Sequence, residues 1–302
     1  MSFLESFFGA GTATAIAGYV AKTFISDRLN REMEVLKTQL RKQEEENRRK
    51  LDEQSSVRTV MKRYSRVVLL STSDIQDRLW HLCIRQAQST NKVLLAEDDN
   101  KPMYAAWPMT KNHYLTGTMY MFSRYFCWVE VLRRNVSLLE FSNDHETIEF
   151  GLHLKRIERM LAETSLQKLS THHISSDSPV FQLMQTDIGE NLRVSDGQED
   201  QCMSFKDYRT CYAQLREGSE GTAQLENLLI GSMSDARGNF CLNRLKLTGN
   251  AFADLAQFLR RINGLGDDAS MEKIPLADFK NDEFDKDWPA SPLAAPSSVT
   301  FR

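Results

Sequence analysis

The sequence predicts an all-α protein. An N-terminal single-pass helix continues into a long stalk helix, followed by an irregular helical bundle with a small β-hairpin. Three observations predict it. Ser6–Ala21 carries no charged side chain. From Ser26 the chain becomes a charge-rich run with apolar residues at spacings of four and three. Beyond residue 57, apolar residues recur at i, i+3, i+4 and i+7 in several segments, the period of helices that bury one face. Four parts follow: an anchor at 1–25, a stalk at 26–56, a helical domain at 57–264 and an acidic, Pro-containing tail at 265–302.

The anchor is read from solvation. A spanning helix needs about 20 predominantly apolar residues. The uncharged stretch reaches that length only by including Lys22, whose long stem can carry its charge to the interface. Gly9, Ala13, Ala17 and Ala21 fall on every fourth position, a stripe that lets two helices approach closely in lipid. Met1–Glu5 has no Lys or Arg, unlike the start of a secretory signal. Gly9, Gly11 and Gly18 lack the preceding strand and the following Gly-Lys-Ser/Thr of a phosphate loop. Lys22, Arg28, Arg31 and Lys37 all follow the span, so the bulk is expected on the cytoplasmic side.

The stalk places Leu29, Met33, Leu36 and Leu40 on one seam, and the same register reaches Asn47. With Met33 and Leu40 at a positions, Asn47 is also an a residue. A buried Asn there favours a parallel, in-register dimer at some cost in stability. Leu29–Arg66 holds 11 Lys/Arg against 7 Asp/Glu. Basic charge beside an anchor suits anionic lipid headgroups. The net charge of −3 argues against a nucleic-acid binder.

The body begins with a helix over Val57–Gln86, then a loop over Ser89–Thr110 marked by Asp98, Asp99, Asn100 and Pro102. Tyr114–Phe141 is the most apolar stretch, and its stripe of Leu115, Met119, Phe122, Phe126 and Val129 predicts a central core helix. Its aromatics read as packing rather than as a cofactor box. Asn143 or Asp144 caps the next helix, striped by Phe150, Leu154, Ile157 and Leu161. Ser176–Pro179 reads as a helix start with Pro179 in its first turn. Asp196-Gly197, between two short extended runs, predicts a hairpin. Ser204 with Asp207 resembles a capping box. The last helix carries Leu245, Phe252, Leu255, Leu259 and Ile262 and stops near Gly264. The tail from Gly266 holds 8 Asp/Glu against 4 Lys/Arg, with Leu276, Phe279, Phe284 and Trp288 as isolated apolar residues that dock on a neighbour.

No pattern of catalysis, cofactor or metal binding emerges. There is no His-Glu-x-x-His, no Cys-x-x-Cys and no Gly-x-Ser-x-Gly. The five cysteines are scattered, as expected of reduced and mostly buried thiols. His172-His173 reads as an exposed linker. Glu149 and His153 at i,i+4 read as a surface pair, and Arg133-Arg134 with Glu130 as helix ion pairs rather than a phosphate site.

The run GTMYMFSRYFCWVEVLRRNVSLLEF, the later LRVSDGQEDQCMSFKDY and the closing CLNRLKLTGNAFADLAQFL together resemble segments of a family of bacterial proteins. Those proteins pair an N-terminal membrane helix and stalk with a helical cytoplasmic body, and they have no established activity. The resemblance covers about Leu70 to Ile262. It implies the same layout and a place on the bacterial inner membrane, and it assigns no catalytic residue. The expected function is that of a membrane-anchored interaction or scaffold protein. It would contact lipid, self-associate through anchor and stalk, and hold a protein partner. The alternative is a membrane-active effector of a bacterial stress or anti-phage response, whose anchors assemble with Thr12 and Thr14 facing water.

Overall fold

Apolar residues at helical spacing form helices along most of the chain. The structure is a computed structural model describing residues 3–89, 92–102, 109–135, 145–164, 177–195, 200–234, 240–266 and 272–276. Side chains at 3–27, 30, 53, 54, 56–58, 60–62 and 135 fall outside that description. The chain divides into two units, Met1–Ser56 and Val57–Arg302.

Helix α1 (Phe3–Trp80) supplies the described part of the first unit and opens the second. Neither Gly nor Pro occurs between Tyr19 and Trp80, and residues 31–54 are dominated by the strong helix formers Glu, Lys, Arg, Gln and Leu. In the first unit every described side chain from 28 onward is exposed. Arg28 and Glu32 pair at i,i+4 (3.3 Å) in open solvent, a contact worth little.

In the second unit α1 turns Val68, Thr72, Ile75 and Leu79 inward. It ends in a π-turn at His81–Gln86, where the Ala87 N–H reaches back to Leu82 O. The expected loop that follows contains a 3₁₀ turn, Val93–Leu95, whose Val93 and Leu94 are buried. The Val93 N–H donates to Gln86 Oε1 (2.9 Å), and Lys92 Nζ donates to Met233 O (2.9 Å). These bonds hold the turn in the core.

Helix α2 (Lys111–Asn135) is the central helix, with Met119, Phe122, Phe126 and Val129 buried. Tyr125 and Phe252 meet edge-on at 4.8 Å, so the aromatic stripe is packing. The residues 136–144, which include the expected cap and the end of the predicted helix, lie outside the described residues. Helix α3 (His145–Ala162) packs along α7 (Phe240–Ile262), and α4 (Gln182–Leu192) packs along α2. A side chain at Gly189 would put its Cβ 2.8 Å from the Phe126 carbonyl, so the close crossing of α2 and α4 requires glycine there.

Strands β1 (Arg193–Ser195) and β2 (Asp200–Cys202) form an antiparallel pair in which Val194 faces Gln201. Ser204 caps α5 (Phe205–Gly218): its Oγ accepts from the Asp207 N–H (3.3 Å) and donates to the Asp207 carboxylate (2.6 Å). Ser219 caps α6 (Glu220–Gly231): its Oγ accepts from the Thr222 N–H (3.0 Å) and donates to the Asp187 carboxylate. Gly264 takes φ +69° just after α7, the left-handed stop.

Two sequence expectations need correction, and one helix was not anticipated. Helix α4 begins at Gln182, three residues after Pro179, with Phe181 at its cap and no side-chain cap bond. The Asp177 carboxylate is engaged by Arg244, and the Val180 N–H bonds Leu161 O (2.8 Å), which keeps the segment extended. Helix α6 had no expectation at all: its first turn carries Gly221 and Thr222, weak helix formers that leave no sharp periodic start. The tail segment 272–276 docks on its own body. Ile274 is buried, and its backbone N–H and C=O bond the Asn250 side chain at 2.6 and 3.0 Å.

Candidate functional site

Two features stand out from the framework: a solvent-facing apolar stripe in the first unit and a polar cleft in the second.

The stripe is the stalk seam. Leu29, Met33, Leu36 and Leu40 are 55%, 53%, 60% and 51% exposed, and Asn47 is exposed in the same register. Nothing else in the described first unit covers them. Long apolar side chains on a solvated helix gain free energy only when a second surface takes them out of water. Charged neighbours flank them, notably Arg31, Glu32, Lys37, Arg41 and Glu44. The seam is therefore a line of exposed apolar residues on a mostly polar helix, on which Val35 and Leu51 are exposed too. The anchor positions Gly9, Ala13, Ala17 and Ala21 lie within α1, but their side chains are outside the described residues. Among the described residues, no helix is long and apolar enough to cross a membrane.

The cleft is a shallow, open depression of about 400 Å³ beside the end of α1. Asp74, Asp77, Arg78 and His81 come from α1 and its π-turn, and Tyr114 and Met121 from α2. The widened turn at His81 alters the helical register there, and such turns are frequent at functional positions. His81 Nδ1 and the Tyr114 hydroxyl share a hydrogen bond of 3.0 Å. The Arg78 guanidinium carbon lies 4.4 Å from the centre of the Tyr114 ring, a cation–π contact. Asp74 also pairs with Arg124 at 3.3 Å.

Burial, followed by the charges of Arg78 and Arg85, holds the His81 imidazole below its ordinary value of 6.5. Burial raises the Tyr114 hydroxyl, and the charge and hydrogen bond of Arg78 oppose that rise. Both groups are thus neutral near pH 7, and one of them donates to the other in the shared hydrogen bond. The cleft offers hydrogen-bonding groups and both signs of charge against thioether walls. That chemistry suits recognition of a polar group better than nucleophilic catalysis.

The other residues singled out by sequence are structural. Arg133 pairs with Glu130 (2.7 Å) and with Glu158, while Arg134 pairs with Glu190 (2.5 Å). These carboxylates already neutralise the guanidinium groups that a phosphate would need. Glu149 accepts from Arg261 (2.8 Å) and lies 4.0 Å from His153, which packs against Phe258. His172 and His173 lie outside the described residues. Cys83, Cys127 and Cys241 are buried. Burial pushes the Cys83 thiol up to about 12, far from a reactive thiolate. Among the described residues, no group of three or more His, Cys, Asp and Glu is placed to hold a metal ion.

Sequence reasoning missed Arg244. Its side chain is wholly buried. It grips Asp177 with two bonds (2.9 and 2.5 Å) and donates to Met160 O (2.7 Å) in the last turn of α3 and to Glu163 O (3.1 Å) just past its end. Its signal was present: Arg244 sits on the apolar stripe of α7, one turn before Thr248 and two before Phe252. A charge on an apolar face announces a buried partner.

No protein-family model, curated protein or solved structure matches this chain.

Proposed function

We propose that this protein is a membrane-tethered, self-associating helical scaffold, in which α1 brings copies together and the second unit offers a recognition surface. One observation carries the reading: Leu29, Met33, Leu36 and Leu40 form a heptad-spaced line that is more than half exposed along its whole length. Its natural occupant is the same line on a second copy, because a parallel dimer sets each a and d residue against its own counterpart.

The magnitudes explain why a tether belongs in the account. Fully burying a Leu or Met side chain is worth about 1.5–3 kcal/mol. These four start roughly half exposed, so each gains about 1 kcal/mol, or about 8 kcal/mol gross for both chains. Association costs about 4–15 kcal/mol. The seam alone is marginal at low concentration. Confinement to a membrane raises the effective concentration and moves the balance toward the dimer. The uncharged Ser6–Ala21, followed by Lys22, Arg28 and Arg31, supports such confinement at an anionic inner leaflet. The resemblance to stalked bacterial membrane proteins supports the same layout. The Asp74–Tyr114 cleft is then the place where the second unit holds a protein partner's polar side chain.

The test is the mass of the full chain in mild detergent. The expected result is a dimer that dissociates on dilution and is lost in Leu36→Asp/Leu40→Asp. A monomer at every concentration, for wild type and variant alike, would remove the reading.

A further inference from the structure

We propose that Cys127 and Cys202 form a site of reversible oxidative modification, closing to a disulfide that ties the β1–β2 hairpin to α2. The geometry begins with how the hairpin seats. The Tyr120 hydroxyl on α2 donates to Met203 O (3.0 Å), which fixes the end of β2 against that helix. The Cys202 Sγ lies 3.9 Å from Arg124 O, the carbonyl three residues before Cys127. Residues three apart share a helix face, so Cys202 meets α2 on the side from which Cys127 projects. The Cys127 side chain is the leading influence on the Cys202 thiol, so the two sulfurs are near neighbours. A disulfide between them requires a Cβ–Cβ separation of about 3.8 Å.

Access orders the steps. Cys127 is fully buried, while Cys202 is partly exposed. A small oxidant such as hydrogen peroxide therefore meets Cys202 first. Its sulfur attacks one peroxide oxygen, the O–O bond breaks, and the products are a Cys202 sulfenic acid and one water. The Cys127 sulfur then attacks the sulfenic sulfur. The S–O bond breaks, and hydroxide leaves and takes the Cys127 proton as a second water. Two thiols and one peroxide become one disulfide and two waters, and a dithiol reductant reverses the change. Its neighbour Cys127 and then burial keep the Cys202 thiol protonated, so the first step is slow and needs sustained oxidant. Cys211 is no competitor: its Sγ faces the Met203 thioether at 3.6 Å and Tyr208 O at 3.5 Å, neither of which can close a disulfide.

The experiment is a peptide map of the full chain after hydrogen peroxide treatment, alkylation under denaturing conditions and digestion without reductant. The expected result is loss of two of the five alkylatable thiols, with one cross-linked peptide pair joining Cys127 to Cys202 that vanishes on reduction. In Cys127→Ser the Cys202 sulfenic acid persists and is trapped by dimedone. Full alkylation of both residues after oxidation, a Cys202–Cys211 link or a link between chains would overturn the proposal. The wild-type map decides the matter even if the variant fails to fold.

Discussion

Replacing Arg244 by Met keeps most of the side-chain volume and removes the charge with all its donors. The wild-type guanidinium is fully buried against an Asp177 side chain that is only 4% exposed. Removing it leaves that carboxylate buried without its cation, which costs about 3–5 kcal/mol in comparable pairs. Met160 O and Glu163 O lose their donor in the same step, at the end of α3 where carbonyls have no helical partner. The apolar packing of Met returns part of this, so the net loss is about 4 kcal/mol. At about 2–4 °C per kcal/mol for a unit of this size, the melting temperature falls by about 8–16 °C. Thermal and urea unfolding followed by circular dichroism read both quantities. Adding Asp177→Asn removes the stranded charge, so the double variant should lose less than the sum of the singles, by about 2 kcal/mol. A Met variant within about 1 kcal/mol of wild type would refute the claim that Arg244 ties α7 to Asp177 and to the end of α3.

Gly189→Ala forces a Cβ to within 2.8 Å of the Phe126 carbonyl. Backbone cannot yield as a side-chain tip does, so despite its better helix propensity Ala should cost about 2 kcal/mol in urea unfolding. Stability should also fall with acid through the histidines. His81 and His153 are both held below 6.5, chiefly by burial, although Asp254 and Glu149 pull His153 upward. Their depressed values mean that the unfolded chain binds protons first. The stability they contribute is complete above 6.5 and is lost as pH falls through their folded values. Glu158 is raised by burial and works the other way, its contribution being lost as pH rises above 4.5. The urea midpoint should therefore drop between about pH 7.5 and about pH 5.5, and His81→Gln/His153→Gln should flatten that slope; an unchanged slope would contradict the assignment. In the cleft, Tyr114→Phe removes the His81 hydrogen bond while sparing the ring under Arg78, so the His81 titration followed by NMR should shift; an identical curve would show that the pair does not matter.

What the sequence revealed follows from which interactions are local. The helix period exposed α2 and α7, because burying a stripe is decided within one segment. The Ser204–Asp207 cap and the pairing of Arg193–Ser195 with Asp200–Cys202 were equally legible, since each depends on residues a few positions apart, although Asp196-Gly197 itself lies outside the described residues. The missed features all depend on distant partners. Pro179 looked like a helix start until Asp177 was seen bound to Arg244, 67 residues away. Ile274 looked like part of a loose tail because its docking site, Asn250, lies on another element. The His81–Tyr114 cleft could not be read from spacing either. Two ordinary side chains 33 positions apart carry no motif, and only the π-turn and the packing of α1 on α2 bring them together. The stalk seam, by contrast, was legible as a pattern, and its exposure is what turns that pattern into a surface.

A cysteine pair tests that surface directly. In a parallel, in-register dimer the two copies of Asn47 face each other across the seam, whereas Glu45 points away from it. Asn47→Cys in the full chain, held in membranes under mild oxidant, should give a two-chain band on a non-reducing gel, and Glu45→Cys should not. Equal cross-linking at both positions, or none at Asn47→Cys, would contradict self-association through the stalk.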